Sequence, residues 1–213
     1  MEDVQPAFGG TWGLTVIMVV IASWIIYKYL APQSFKEWRN AGLIQAFIIA
    51  LYAEMYGFPL TVYIFVSFLG LDIPWLHMSG HLWSYLFGWG AGMAMVEMFI
   101  GYAFVFAGIS LIAKGWGEIY RVRKEKKLVT EGLYRYMRHP QYTGIYLTIL
   151  GQLIHWPTIP TLLLSPVIVW AYRHLARTEE KVMIERFGDE YRAYVGRVPM
   201  FFPKPRQWSE IFG

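Results

Sequence analysis

Apolar residues in this 213-residue chain are gathered into blocks long enough to cross a bilayer, and that limits the folds open to it. A membrane-spanning helix needs about 20 such residues in succession. The first block covers 11–30 and has no charge before Lys28. The second covers 43–71, interrupted only by Glu54 and by Gly57 and Pro59. At about 1.5 Å per residue it exceeds the roughly 30 Å hydrocarbon core, so a kink at Pro59 and ends in the interface are expected. The third covers 92–113 and carries one charge, Glu97. The fourth, 142–175, is broken by Trp156-Pro157-Thr158-Ile159-Pro160. Its two arms, each short for a span, predict a helical hairpin that crosses and returns.

Charged residues are 16% of the chain and hydrophobic ones 56%, against about 25% charge in soluble domains. These numbers exclude a water-soluble globular domain and a disordered chain. The absence of cysteine excludes a disulfide scaffold, a thiolate metal site and a cysteine nucleophile. The fold expected is all-α: an integral membrane helical bundle of about five transmembrane helices, one domain over 1–213. Segment 114–141 then forms a loop and 176–213 a tail, both cytoplasmic.

The 19 Lys and Arg residues fix the threading. Three lie at or after the end of the first span, eight follow the third and eight lie at or after the end of the hairpin, while 72–91, the hairpin turn and the first ten residues have none. A multi-pass chain with its N-terminus outside and C-terminus in the cytoplasm satisfies the positive-inside rule throughout. Insertion bias accounts for this asymmetry, so it does not indicate nucleic-acid binding. The first span lacks the basic leader and small-residue cleavage pattern of a signal peptide.

Chemistry concentrates on the cytoplasmic side. Between Lys127 and Gly144 the chain packs a turn at Glu131-Gly132, several rings and three cations at the mouth of the fourth block. Pro140 suits the first position of a helix, where its missing amide would be unpaired anyway, and places His139 at the N-cap. The free amides, the helix dipole and Arg138 would suit a carboxylate or phosphate. Gly144 permits close approach to that helix. After the hairpin, Glu179 and Glu180 are expected to start an amphipathic helix with Val182, Met183 and Phe187 on its apolar face. Gly188 would end it and Asp189 open a further turn. The hairpin returns both clusters to one membrane depth, so a shared site is natural.

Leu128-Val129-Thr130-x-Gly132-x-Tyr134, Arg138-His139-Pro140-x-Tyr142-x-Gly144, Glu179-Glu180 and Phe187-Gly188-x-x-Tyr191 occur here in order. This combination resembles the isoprenylcysteine carboxyl methyltransferase family, which has phospholipid N-methyltransferase and thiol methyltransferase relatives. The resemblance covers about Lys126 to Pro203. It implies a cytoplasmic pocket for S-adenosylmethionine, no metal, and a lipophilic small molecule or lipidated acceptor entering from the bilayer. By position it implies that Lys126, Leu128, Val129 and Tyr134 line the cofactor. Arg138, His139, Pro140, Gln141 and Tyr142 would receive its methionine end, and Glu180 would supply the pocket's acid. An arginine expected three residues before Thr178 is Leu175 here. Arg173, His174 and Arg177 are the candidates to replace it in orienting an acceptor carboxylate.

Glu54 and Glu97 lie inside apolar blocks, where an ionisable group is a functional candidate by default. Glu54, beside Tyr56, Gly57 and Pro59, would give an acceptor pocket a negative wall suited to an amine. Glu97 is equally compatible with a protonated side chain hydrogen-bonded to a neighbouring helix. His77 and His81 have no third ligand nearby, so no metal site is assigned. Gly101 and Gly108, seven residues apart, are expected to pack against another helix. The reading of a different class is a proton-coupled transporter or an accessory membrane protein, with Glu54 and Glu97 as its pathway.

Overall fold

The computed structural model describes residues 13, 16–21, 23–24, 42–51, 60–70, 83–84, 87–88, 90–122, 127–204 and 207. Among these every regular element is helical. We number them α1 (Gly42–Leu51), α2 (Leu60–Leu69), α3 (Gly90–Val122), α4 (Pro140–His155), α5 (Ile159–Phe187) and α6 (Asp189–Arg197), with a 3-10 turn at Gly132–Arg135. Two of the described helices, α3 and α5, are long and apolar enough to cross a membrane. Within the first two expected spans, 16–21, α1 and α2 are helical, whereas Glu54 and the Pro59 kink lie outside the described residues. So do His77 and His81.

The chain divides into two compact units, 1–100 with 152–171, and 101–151 with 172–213. In the first, the expected break falls between His155 and Ile159. Thr158 and Thr161 explain why a helix starts there: the Thr158 N–H donates to Thr161 Oγ1 at 3.1 Å and the Thr161 N–H to Thr158 Oγ1 at 3.2 Å. This reciprocal cap satisfies amides that have no partner in the first turn. The Ile159 amide donates to Thr61 Oγ1 on α2 at 2.9 Å. Pro166 inside α5 removes the amide that would bond the Leu162 carbonyl; Ser165 Oγ donates to that carbonyl at 3.1 Å. Glu97 is buried, and its Oε2 accepts the Ser84 hydroxyl at 2.6 Å and the Ser84 amide at 3.2 Å.

In the second unit, glycines let α3 and α4 touch backbone to backbone. A Cβ on Gly108 would lie 2.4 Å from the Gly144 carbonyl oxygen, and one on Gly144 would lie 2.5 Å from that of Gly108. A Cβ on Gly151 would lie 2.5 Å from the Gly101 carbonyl oxygen. Gly101 and Gly108 thus pack against a helix as their spacing suggests, and Gly115 continues the series against Pro140 and Gln141.

Two boundaries differ from the expectation. The third span does not end at Ala113: α3 runs to Val122, taking nine residues from the expected loop. Gly115 and Gly117 lie inside α3 without ending it, and a Cβ at Gly115 would lie 3.1 Å from Pro140 Cγ. Glu179 and Glu180 do not start a helix either, but lie within α5, which continues to Phe187. No Gly or Pro interrupts 167–187, and Thr178 turns its hydroxyl onto the His174 carbonyl inside the helix at 3.1 Å. Gly188 ends α5 with φ +55°, and α6 follows at Asp189, as expected.

Candidate functional site

The second unit gathers the motif residues into one polar cluster. α4 begins at Pro140, and the preceding His139 carbonyl accepts the Thr143 amide at 3.1 Å, which makes His139 the N-cap. Its ring lies between two carboxylates of α5: Nε2 is 3.2 Å from Glu180 Oε1 and Nδ1 is 3.5 Å from Glu179 Oε2. The ring stacks on Tyr142, with centroids 5.4 Å apart and planes 3° from parallel. The Tyr142 hydroxyl donates to Glu179 Oε1. Arg138 Nε donates to Glu180 Oε1 at 2.7 Å, and Nη1 donates to the Val195 and Val198 carbonyls at the end of α6. Tyr142, Glu179, His139, Glu180 and Arg138 therefore form one continuous chain of contacts.

Burial alone would pull His139 below its ordinary value. Hydrogen bonds and charge from Glu179 and Glu180 outweigh it and hold the ring above that value. The two carboxylates thus favour the imidazolium more than water does. Tyr191 of α6, buried nearby, has its phenol pushed up to about 12 by burial and by the Glu180 charge. It stays neutral.

A second group stands on the 3-10 turn. Tyr134 is buried, its hydroxyl accepts Gln141 Nε2–H at 2.6 Å, and its carbonyl accepts the Tyr194 hydroxyl at 2.6 Å. The segment after α6 returns along the start of α4. The Arg138 amide donates to the Pro199 carbonyl and the His139 amide to the Met200 carbonyl, each at 3.0 Å. Thr143 Oγ1 donates to the Phe201 carbonyl at 2.7 Å. The Phe201 ring packs on His139 and Tyr146, with centroids 6.1 and 5.2 Å away.

Of the residues singled out in the sequence, Tyr134, Arg138, His139, Pro140, Gln141, Tyr142 and Glu180 come together in these groups. Leu128 and Val129 are half-buried on the segment leading into the turn. Lys126 and Glu54 lie outside the described residues. Arg173, His174 and Arg177 are on the exposed side of α5, whereas Leu175 is buried with Ala171, Tyr172 and Ala176.

Three contributors are not among the cofactor- or acceptor-binding residues expected from the sequence. Glu179, the more exposed of the two acids at 39% against 12%, holds both Tyr142 and His139. The 199–201 segment carries the carbonyls that bind the start of α4. Glu118 of α3 accepts the Leu133 amide with Oε1 at 3.0 Å and Oε2 at 3.1 Å. Its one sequence signal was isolation, as it is the only acid between Met98 and Lys124.

Comparison with known proteins gives these groups a context. The phospholipid methyltransferase family model matches residues 89–190, which include both halves of the cluster. Protein-S-isoprenylcysteine O-methyltransferase of Schizosaccharomyces pombe is 38% identical over 81 residues, 38% of this chain and 34% of that protein. Protein-S-isoprenylcysteine O-methyltransferase B of Arabidopsis thaliana is 27% identical over 118 residues, 54% of this chain and 60% of that protein. Methanethiol S-methyltransferase of Pseudomonas sp. (strain GM41(2012)) is 24% identical over 225 residues, 97% of this chain and 80% of that protein. The similarity to isoprenylcysteine methyltransferases and their phospholipid and thiol relatives, read from the motifs, is met by these matches. The chain spans about a third and about 60% of the lengths of the two isoprenylcysteine methyltransferases.

Proposed function

We propose that this chain is a membrane-embedded methyltransferase that passes a methyl group from S-adenosylmethionine to a lipophilic acceptor reaching it from the bilayer. The observation that carries the reading is His139 held between Glu179 and Glu180. This contact folds together motifs 41 residues apart, inside the region matched by a methyltransferase family. The charge distribution supports a multi-pass chain of five spans with its N-terminus outside and this cluster at the cytoplasmic face.

The donor set suits such a cofactor. Glu179 is partly exposed beside the stacked rings of His139 and Tyr142, an arrangement of acid and aromatic surface suited to a cation bearing hydroxyls. Glu179 and Tyr142 would meet the cofactor, with Leu128, Val129 and Tyr134 on the approach. Arg138 and Glu180, tied to each other and to α6, would hold the wall in place. The cofactor supplies an already activated methyl group. The protein's task is then to align the acceptor and exclude water, for which a rigid, hydrogen-bonded wall is suited.

The acceptor favoured by the motifs is an isoprenylcysteine carboxylate. A thiol acceptor is the second reading, supported by the match to a methanethiol S-methyltransferase along 97% of this chain. It is also supported by buried Leu175 where an acceptor-orienting arginine was expected.

The test is calorimetric titration of the detergent-solubilised chain with S-adenosylhomocysteine, wild type beside His139→Ala and Glu179→Gln. Micromolar binding by wild type, weakened by both substitutions, is the expected result. A folded wild type that binds none of it would overturn the reading. Labelled methyl transfer to a prenylcysteine or to a small thiol then separates the two acceptors.

A further inference from the structure

We propose that Glu118 is a positioning residue for the cofactor-binding strip: from α3 it locks the 3-10 turn that carries Tyr134. This rests on the methyltransferase reading above and adds to it a residue that the motifs do not contain.

Three observations converge on one carboxylate. Both Glu118 oxygens accept the Leu133 amide, at 3.0 and 3.1 Å, so the turn's backbone is held from outside by a charged acceptor. Gly132, the residue before, has φ +59°, a conformation that L side chains rarely adopt. A Cβ at Gly132 would also lie 2.1 Å from Glu118 Oε1, so the glycine admits the carboxylate as well as the backbone angle. The turn built on this contact is tied at two further points, Tyr134 to Gln141 and Tyr194 to the Tyr134 carbonyl.

The position of this lock implies a role beyond local stability. Segment 127–131 has no regular secondary structure and leads directly into the turn. It contains Leu128 and Val129, which the proposal places along the cofactor. Gln141 and Tyr194 act on Tyr134, two residues beyond the glycine, whereas Glu118 acts at Leu133, one residue closer along the chain to Leu128 and Val129. Without it, Leu128 and Val129 would still be present, but the backbone that presents them would lose the anchor that sets its angle. Ordering that backbone would then be charged to cofactor binding, which weakens affinity without changing the groups that contact the ligand.

The experiment uses the full chain in detergent as wild type, Glu118→Ala and Glu118→Gln, the last keeping one oxygen to accept the Leu133 amide. Three quantities are read: S-adenosylhomocysteine affinity by calorimetry, the ligand-free thermal midpoint, and hydrogen exchange at the Leu133 amide. Glu118→Ala is expected to weaken affinity about tenfold and to speed Leu133 exchange, with Glu118→Gln recovering most of both. If methyl transfer is measured, KM for the methyl donor should rise while kcat holds. Unchanged affinity in Glu118→Ala, or a fallen midpoint with affinity intact, would overturn the proposal, leaving Glu118 a merely structural residue. Unchanged Leu133 exchange would overturn it too. A wild type that binds no S-adenosylhomocysteine overturns the methyltransferase reading and the cofactor role of Glu118 with it. Leu133 exchange would still decide whether the lock itself exists.

Discussion

Arg138 donates its Nε–H to Glu180 Oε1 at 2.7 Å across 42 residues of chain, with only 8% and 12% of the two side chains exposed. Removing either partner leaves a largely buried charge without one of its counter-charges. Arg138→Ala or Glu180→Ala should each lower stability by about 3–5 kcal/mol. The double variant should lose clearly less than the two effects added. Denaturant unfolding in micelles of the four proteins measures this coupling, and strict additivity would contradict the pairing.

His139 makes the same cluster sensitive to pH, and the sign follows from its raised value. Its cation is stabilised in the folded protein by Glu179 and Glu180 against the opposing effect of burial. That contribution is therefore full below the unfolded value, about 6.5, and is lost as pH rises through the higher folded value. The stability advantage of wild type over His139→Gln should shrink as pH rises from the unfolded value into the alkaline range. Thermal midpoints of the pair across that range test it, and an advantage that grows with pH would reverse the assignment.

The α3–α4 contact gives a prediction of steric origin. A methyl group at Gly108 meets the Gly144 carbonyl oxygen and the Thr148 amide nitrogen, at 2.4 and 2.8 Å, neither of which can rotate away. Gly108→Ala should therefore destabilise by about 1–3 kcal/mol through forced separation of the helices. Gly117, on the same helix with nothing within 4 Å of where a Cβ would stand, is the control. There alanine should be neutral or stabilising by up to about 1 kcal/mol, from helix propensity alone. Equal effects at the two positions would show that packing is not what the Gly108 site requires.

How far the sequence could be read depended on whether the controlling interaction was local. Pro140 at the start of α4, the break between His155 and Ile159 and the left-handed Gly188 are set by residues adjacent to them, and each was legible. The end of α3 was not. Lys114 marks the loss of apolar character but does not stop a helix, and α3 runs on to Val122 through Gly115, which lies against Pro140 and Gln141, some 25 residues on. Glu179-Glu180 has the composition of a helix start, yet no breaker precedes it and α5 simply continues. Within the site, motif residues were recognisable because they lie in two short segments. Glu118 belongs to neither and acts through a backbone amide, an interaction that leaves no pattern of side-chain types to read.

Tyr194 offers a last test, of whether the cluster rests on α6. Its hydroxyl donates to the Tyr134 carbonyl at 2.6 Å in a buried setting, so α6 supports the 3-10 turn through one hydrogen bond. Tyr194→Phe keeps the ring and its contact with Tyr191, at 5.7 Å between centroids, but leaves that carbonyl without this donor. The loss should be about 1–3 kcal/mol, the cost of a buried acceptor left unsatisfied. Tyr191→Phe leaves that bond intact and should cost less. Because the Tyr134 carbonyl lies one residue past the Leu133 amide held by Glu118, Tyr194→Phe and Glu118→Ala act on one turn. Their combined effect on unfolding should depart from the sum of the two. Additive effects in the double variant would mean that α3 and α6 hold the turn independently.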